Sequence, residues 1–331
     1  MDVVVPFRGG AAALRDLRLR LARLQLRPGD SLVVVDNTPG RRPSQEGVGG
    51  GVSVMQAPQL ATPGFARNRG AARGTADWLV FVDADVAAPA DLLDGYFEPA
   101  PRERTGLLAG GVIDESVPDG GPAAARYAYL RDFMSQEDTL RFGEWGYPKT
   151  ANVACRRSAF EAVGGFREHI RAGEDADLTF RMRAAGWAIE RRESAAVVHR
   201  SRQTVGQFTV QKLCHGSGAA WLDREYPGAF PARRRPGLLW WGVRHAVGGA
   251  VSAARSGDRD RLLFALFEPL ELIAHELGRS LQNERPLTLR SLWRHLPYLR
   301  ERPDAVRMRD SGPAFPGGSP GSPPGSHGST R

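Results

Sequence analysis

The first hundred residues repeat one pattern. A short run of β-branched and aromatic residues ends abruptly at a proline or an acid, and a segment of helical character follows. Residues 3–5 stop at Pro6, residues 32–35 at Asp36 and residues 78–82 at Asp83. Helices are expected at 11–26, 67–74 and 89–97, with a further strand at 52–55. Strands without polar alternation, separated by helices, predict an α/β fold whose mostly parallel central sheet carries helices on both faces. Ligands of such sheets sit beyond the carboxyl ends of the strands, so Pro6, Asp36 and Asp83 are expected to converge on one crevice.

The second half is less regular. Strands are expected at 107–113, 149–155 and 195–199, with a helix at 178–185. A polar, aromatic stretch holding Tyr127, Tyr129, Phe133 and Trp145 lies between the first two, and its rings, with the helical C-terminal part, are expected to select an acceptor. From Gln207 the texture turns helical, and Leu262, Leu263, Leu266, Phe267, Leu270, Ile273 and Leu277 form a stripe close to a 3.6-residue period, expected to be core or a dimer contact. The chain therefore divides into an α/β unit at 1–205, a helical extension at 206–302 and a Gly/Ser/Pro-rich tail at 303–331, expected to be disordered.

Two acidic motifs carry the candidate chemistry. In FVDADV (81–86), Asp83 and Asp85 flank Ala84 at a strand end, where two carboxylates can share a hard divalent cation whose other face meets diphosphate oxygens. A solvated turn explains the same residues. In GEDAD (173–177), three acids crowd the start of a helix. Asp177 is expected to cap that helix, and one of Glu174 and Asp175, pushed by its neighbour, suits a general base. The segment PGFARNRG (63–70) opens another helix, where backbone amides beside the Arg67 guanidinium suit a phosphate or a nucleotide edge.

Taken in order, VVVPFRG (3–9), VVVDN (33–37), GFARNRG (64–70), FVDADV, TANVACRRSAFEAVGGF (150–166) and GEDADLTFRMRAAGW (173–187) resemble the family 2 glycosyltransferases of the GT-A fold over roughly the first 200 residues. The resemblance implies a metal-dependent, inverting hexosyl- or N-acetylhexosaminyltransferase (EC 2.4) that takes a nucleotide sugar, a UDP-sugar by expectation, to an acceptor hydroxyl. By the same resemblance Pro6, Phe7, Arg8, Asp36, Gly64, Arg67, Asp83 and Ala84 form the donor side, and Asp175 is the base. Asp85, Asp83 and His199 hold Mn²⁺ or Mg²⁺, and Glu174, Trp145, Asn152 and Gly165 lie on the acceptor side. The sequence departs from the family at Asn37, Thr38, Pro39 and Gly40, which puts the base of the nucleotide in question.

Two competing readings are a nucleotidyltransferase acting on sugar phosphates and a non-catalytic GT-A-like binding protein. The first needs a lysine-bearing phosphate loop near the first strand, and residues 3–10 hold no lysine. The second predicts loss of the acids, and all are present. Net charge is +8 with only Lys149 and Lys212 among the lysines, an arginine bias as consistent with codon usage as with a polyanion partner; no nucleic-acid partner is expected. The two cysteines have no metal or disulfide spacing, and no signal-peptide pattern or bilayer-length apolar run occurs. A cytoplasmic protein is expected. The cluster at 238–241 after three arginines leaves peripheral contact with the inner membrane face open, as it does a homodimer.

Overall fold

The computed structural model describes residues 1–40, 51–232 and 237–284. Arg233, Arg234 and Arg235, the end of the expected helical extension and the tail at 303–331 lie outside the described residues. The chain opens with β1 (Asp2–Phe7), α1 (Ala11–Leu21), β2 (Ser31–Asp36), β3 (Ser53–Gln56), α2 (Pro63–Ala71) and β4 (Trp78–Val82). Strand β1 pairs in parallel with β2 and β4, and β2 with β3. Val3, Val4 and Val5 are wholly buried, as both faces of a central parallel strand require.

Next come β5 (Val86–Ala87), α3 (Leu92–Gly95), β6 (Thr105–Asp114), α4 (Ala123–Arg131), α5 (Gln136–Leu140), β7 (Asn152–Arg156), α6 (Arg157–Ala162), α7 (Glu174–Ala184) and β8 (Ala188–His199). The eight strands of the described residues form one sheet in the order β3-β2-β1-β4-β7-β6-β8-β5. The first four are parallel, whereas β7 runs antiparallel to β4 and β6, and β5 antiparallel to β8. One apolar layer, with Leu17 and Leu21 of α1 and Leu92 and Leu93 of α3, covers one face of the sheet. Phe65 and Ala66 of α2, Phe160 of α6, and Leu178 and Met182 of α7 cover the other.

The irregular half does the positioning. His199 ends β8 and stands in register with Asp114, the last residue of β6, and with Val86, the first of β5. Three distant chain segments thereby meet beside the carboxyl end of β4. Helix α7 begins at Glu174, four residues before the sequence expectation, because Gly173 turns the chain at φ 87°. A Cβ on Gly173 would also stand 2.8 Å from Leu222 Cδ1 of helix α8 (Val205–Glu225), so the turn and the packing both require glycine.

Helices α9 (Leu238–Ser256) and α10 (Arg259–Gly278) complete the described chain. Tyr127 of α4 is fully buried, with ring centroids of Phe208 and Phe267 at 5.8 Å and 5.1 Å, and its hydroxyl donates to Glu271 at 2.9 Å. Lys212 of α8 reaches the same Glu271 at 3.0 Å over the Phe133 ring. This part of the aromatic stretch is therefore the glue between α/β unit and C-terminal helices, not an acceptor wall. The stripe of α10 splits: Phe267 is buried and Leu263, Leu270 and Ile273 are half-buried, while Leu262, Leu266 and Leu277 are exposed.

Candidate active site

Beyond β4, the backbone turns through Asp83, Ala84 and Asp85. Arg20 of α1 braces that turn, donating to the carbonyls of Ala84 at 2.9 Å and Val86 at 2.7 Å. Each carboxylate faces a different cation. Asp83 accepts from Arg67 Nη2 at 2.7 Å. Asp85 Oδ2 lies 3.7 Å from His199 Nε2 and 3.4 Å from Arg202 Nη1. Burial opposes the charge on Asp85, but His199 and Arg202 outweigh it and hold its pKa below the ordinary aspartate value.

The other face of His199 is fixed. Its Nδ1 stands 3.1 Å from Asp114 Oδ1, which also accepts from the Ser201 hydroxyl at 2.9 Å, while Asp114 Oδ2 accepts from the Met134 amide at 2.9 Å. Asp114 is buried, and these donors overcome desolvation to keep its pKa low. An ionised Asp114 assigns the proton to Nδ1 and leaves Nε2 as a lone pair beside Asp85 whenever the ring is neutral. Between two carboxylates the ring resists neutrality: against desolvation, Asp114 and Asp85 raise its pKa to about 9. A divalent cation would displace that proton.

Arg67 joins the two acidic motifs. Wholly inside the protein, its Nη2 meets Asp83 and its Nη1 meets Glu174 Oε1 at 2.9 Å, with the guanidinium 5.4 Å from the centre of the Phe166 ring. Burial works against its charge, yet the two carboxylates raise its pKa above the ordinary arginine value. The expected reach to a nucleotide is thus replaced by a strut, since both terminal nitrogens are taken by protein acids. Glu174 is likewise turned inward, not to an acceptor; desolvation raises its pKa, with Arg67 opposing.

Asp175 is the half-buried member of the pair. Its Oδ1 accepts the Ala176 amide at 2.9 Å, and burial raises its pKa against the pull of Arg67 and the helix amides. Tyr147, whose own pKa is raised by burial and by Asp175, and Lys149, lowered to about 8 by desolvation, lie within electrostatic reach. Asp177 does not cap α7. It lies one turn inside, fully buried, and accepts from Arg181 Nη2 at 2.5 Å, Arg167 Nε at 3.1 Å and the Tyr226 hydroxyl at 2.7 Å. The earlier helix start explains the change: the cap position belongs to Gly173.

The remaining expected residues divide. Phe7 and Asp36 are buried strand ends in mutual register, Pro6 precedes them and Arg8 is exposed at the same end. Asp36 Oδ1 accepts from the Thr38 amide at 3.0 Å. Gly64 is pressed against the protein, where a Cβ would stand 2.8 Å from Arg167 O, and Gly165 turns at φ 68° with Asn68 Oδ1 2.8 Å from its Cβ direction. Close packing accounts for both. Asn152 is corrected outright: fully buried, it donates to Ala195 O at 2.7 Å and Gly111 O at 2.9 Å, tying three strands and facing no acceptor. Trp145 is half-buried edge-on to Phe180 at 5.2 Å. Sequence reasoning missed Asp114, Arg202 and Arg20. Asp114 carried the signal used for Asp83, an acid directly after an apolar run; Arg20 and Arg202 carried none.

The order of these parts along the chain is shared with known proteins. The profile of the glycosyltransferase-like family 2 matches residues 34–215. The chain belongs to that family. A pre-mycofactocin glycosyltransferase of Mycobacterium tuberculosis is 30% identical over 233 residues, 69% of this chain and 48% of the relative. Glycosyltransferase AglE of Haloferax volcanii is 28% identical over 163 residues, 48% of this chain and 52% of the relative. The chain thus spans about half the length of the curated relatives it matches. Among solved structures, the mannosyltransferase PcManGT from Pyrobaculum calidifontis, in complex with GDP-Man and Mn²⁺, superposes with a TM-score of 0.54 at 15% identity, covering 84% of this chain and 86% of that one. That likeness supports the GT-A fold for this family 2 member.

Proposed function

We propose that the chain is a metal-dependent, inverting glycosyltransferase that moves a sugar from a nucleoside-diphosphate sugar to an acceptor hydroxyl. The observation that carries this reading is the Asp85–His199 pair, with His199 oriented by Asp114, on the same rim as the half-buried Asp175. One carboxylate oxygen and one imidazole nitrogen are a sound donor set for a divalent cation, and the imidazole favours Mn²⁺ over Mg²⁺. Among the described residues no group of three or more His, Cys, Asp or Glu side chains can hold a metal, so a metal here would need oxygens from the donor diphosphate and water. That fits a cation arriving with its nucleotide. When bound by Asp85 and His199, such a cation would neutralise charge growing on the leaving diphosphate.

The protein's own residues do the rest. The strand ends at Phe7 and Asp36 form the nucleoside side of the crevice, with Arg8 available to it. Arg67 keeps Asp83 and Glu174 in place. Asp175, its basicity raised by burial, takes the proton of the acceptor hydroxyl as that oxygen attacks the anomeric carbon. The carbon–oxygen bond to the diphosphate breaks on the opposite side, and configuration inverts.

Thermal-shift screening of UDP-, GDP- and dTDP-sugars with and without Mn²⁺ tests the reading. A stabilisation needing both metal and one nucleotide is expected. Stabilisation by nucleotide alone, unchanged in Asp85→Asn, would remove the metal from the proposal.

A further inference from the structure

Helix α9 has two unlike faces. One is closed against α10 by small residues: a Cβ on Gly249 would stand 2.4 Å from the Ala265 Cβ and one on Gly242 3.2 Å from Ile273 Cδ1, while His245 meets Glu268 at 3.0 Å. The other face carries Leu239, Trp240, Val243, Val247 and Val251, exposed by 70, 66, 55, 59 and 44%. At about 100° per residue these five side chains fill an arc of about 120°. Arg244 and Arg255 are exposed and border it, and Leu238–Ser256 contains no Asp or Glu.

We infer that this face docks on an anionic lipid surface, with α9 lying in the plane of the headgroups. An apolar face with a tryptophan at one end, bordered along one side by arginines and free of acids, matches the interfacial layer, where the indole and the guanidinium stems sit at the boundary between water and acyl chains. No described helix is long and apolar enough to cross a membrane, so α9 lies on the surface instead of spanning it. The net charge of +8 steers the whole chain in the same direction. A second copy is the poorer occupant. A two-fold contact through this face would bring the arginines of both copies together with no carboxylate on either α9 to answer them. The inference does not depend on the transfer reaction, and its test involves no turnover.

Flotation of the full chain with phosphatidylglycerol/phosphatidylcholine vesicles, against phosphatidylcholine alone, reads it directly. The wild type is expected to float with the anionic vesicles and to stay down with the neutral ones. Val247→Glu should weaken binding by about tenfold or more, because it sets a charge in the centre of the apolar arc. The double variant Arg244→Glu/Arg255→Glu should lose most binding, and the remainder should no longer fall with salt. Thermal melts of these variants should match wild type, since each side chain is exposed. Absence of flotation by a folded wild type, or wild-type binding by folded Val247→Glu, overturns the inference. So does a wild-type dimer in light scattering that Val247→Glu splits while no vesicle binding is seen.

Discussion

The acidic motif after β4 and the one that opens α7 are nearly alike in composition and unlike in surroundings. Asp83 and Asp85 are each about 30% exposed and sit at a turn, where side chains from α2 and the end of β8 reach them. The α7 acids are drawn inward by the helix and divided among three tasks. Glu174 locks Arg67, the buried Asp177 anchors Arg167, Arg181 and Tyr226, and Asp175 is held by backbone amides. The turn after β4 leaves Asp83 and Asp85 partly open to a cation, whereas acids along a helix separate by 100° per residue and meet different environments. The chemistry of each motif is decided by that difference.

The sharpest way to break the comparison is Asp175→Asn. Transfer should fall by about 10²–10⁴-fold, while isothermal titration shows donor affinity close to wild type. Full turnover would mean that the helix motif holds no base. Next is Asp177→Ala, which strands Arg181 in a partly buried site. Urea unfolding should report a loss of about 3 kcal/mol, reduced somewhat by the exposure of both arginines, with kcat unchanged where the protein remains folded. A loss of rate without loss of stability would return Asp177 to the reaction.

Smaller effects test the strand-end side. Asp114→Ala frees the His199 ring, so Mn²⁺ affinity, read by electron paramagnetic resonance of the bound ion, should drop about 10–100-fold and transfer should recover at high Mn²⁺. Undiminished affinity would confine Asp114 to a structural role. The smallest is a pH effect. Burial raises the pKa of Asp175, so the base is lost by protonation as pH falls through a value above that of an ordinary aspartate. The acid limb of kcat/KM should therefore lie above the usual aspartate range; a limb within it would describe a solvated carboxylate.

Much of the frame is legible in the sequence because it is local. Apolar runs broken at Pro6, Asp36 and Asp83 announce strand ends, and β1, β2 and β4 place them side by side as expected. Asn152 misled because a polar residue within a motif that carries the family resemblance reads as functional, yet its amide spans three strands whose pairing no local pattern reveals. Tyr127 misled likewise: its partners Phe208, Phe267 and Glu271 lie 80 or more residues away.

The sequence by itself determined the alternation of strands and helices, the family and the positions at which acids leave the sheet, since strand propensity, burial and turn chemistry act over a few residues. Only the tertiary structure decided what each acid meets. His199 lies between Asp85 and Asp114 because β8 is registered with both β5 and β6, and Arg67 links Asp83 to the distant Glu174 because α2 and α7 pack on one face of the sheet. Charge environment depends on distance in space, and register and packing set that distance.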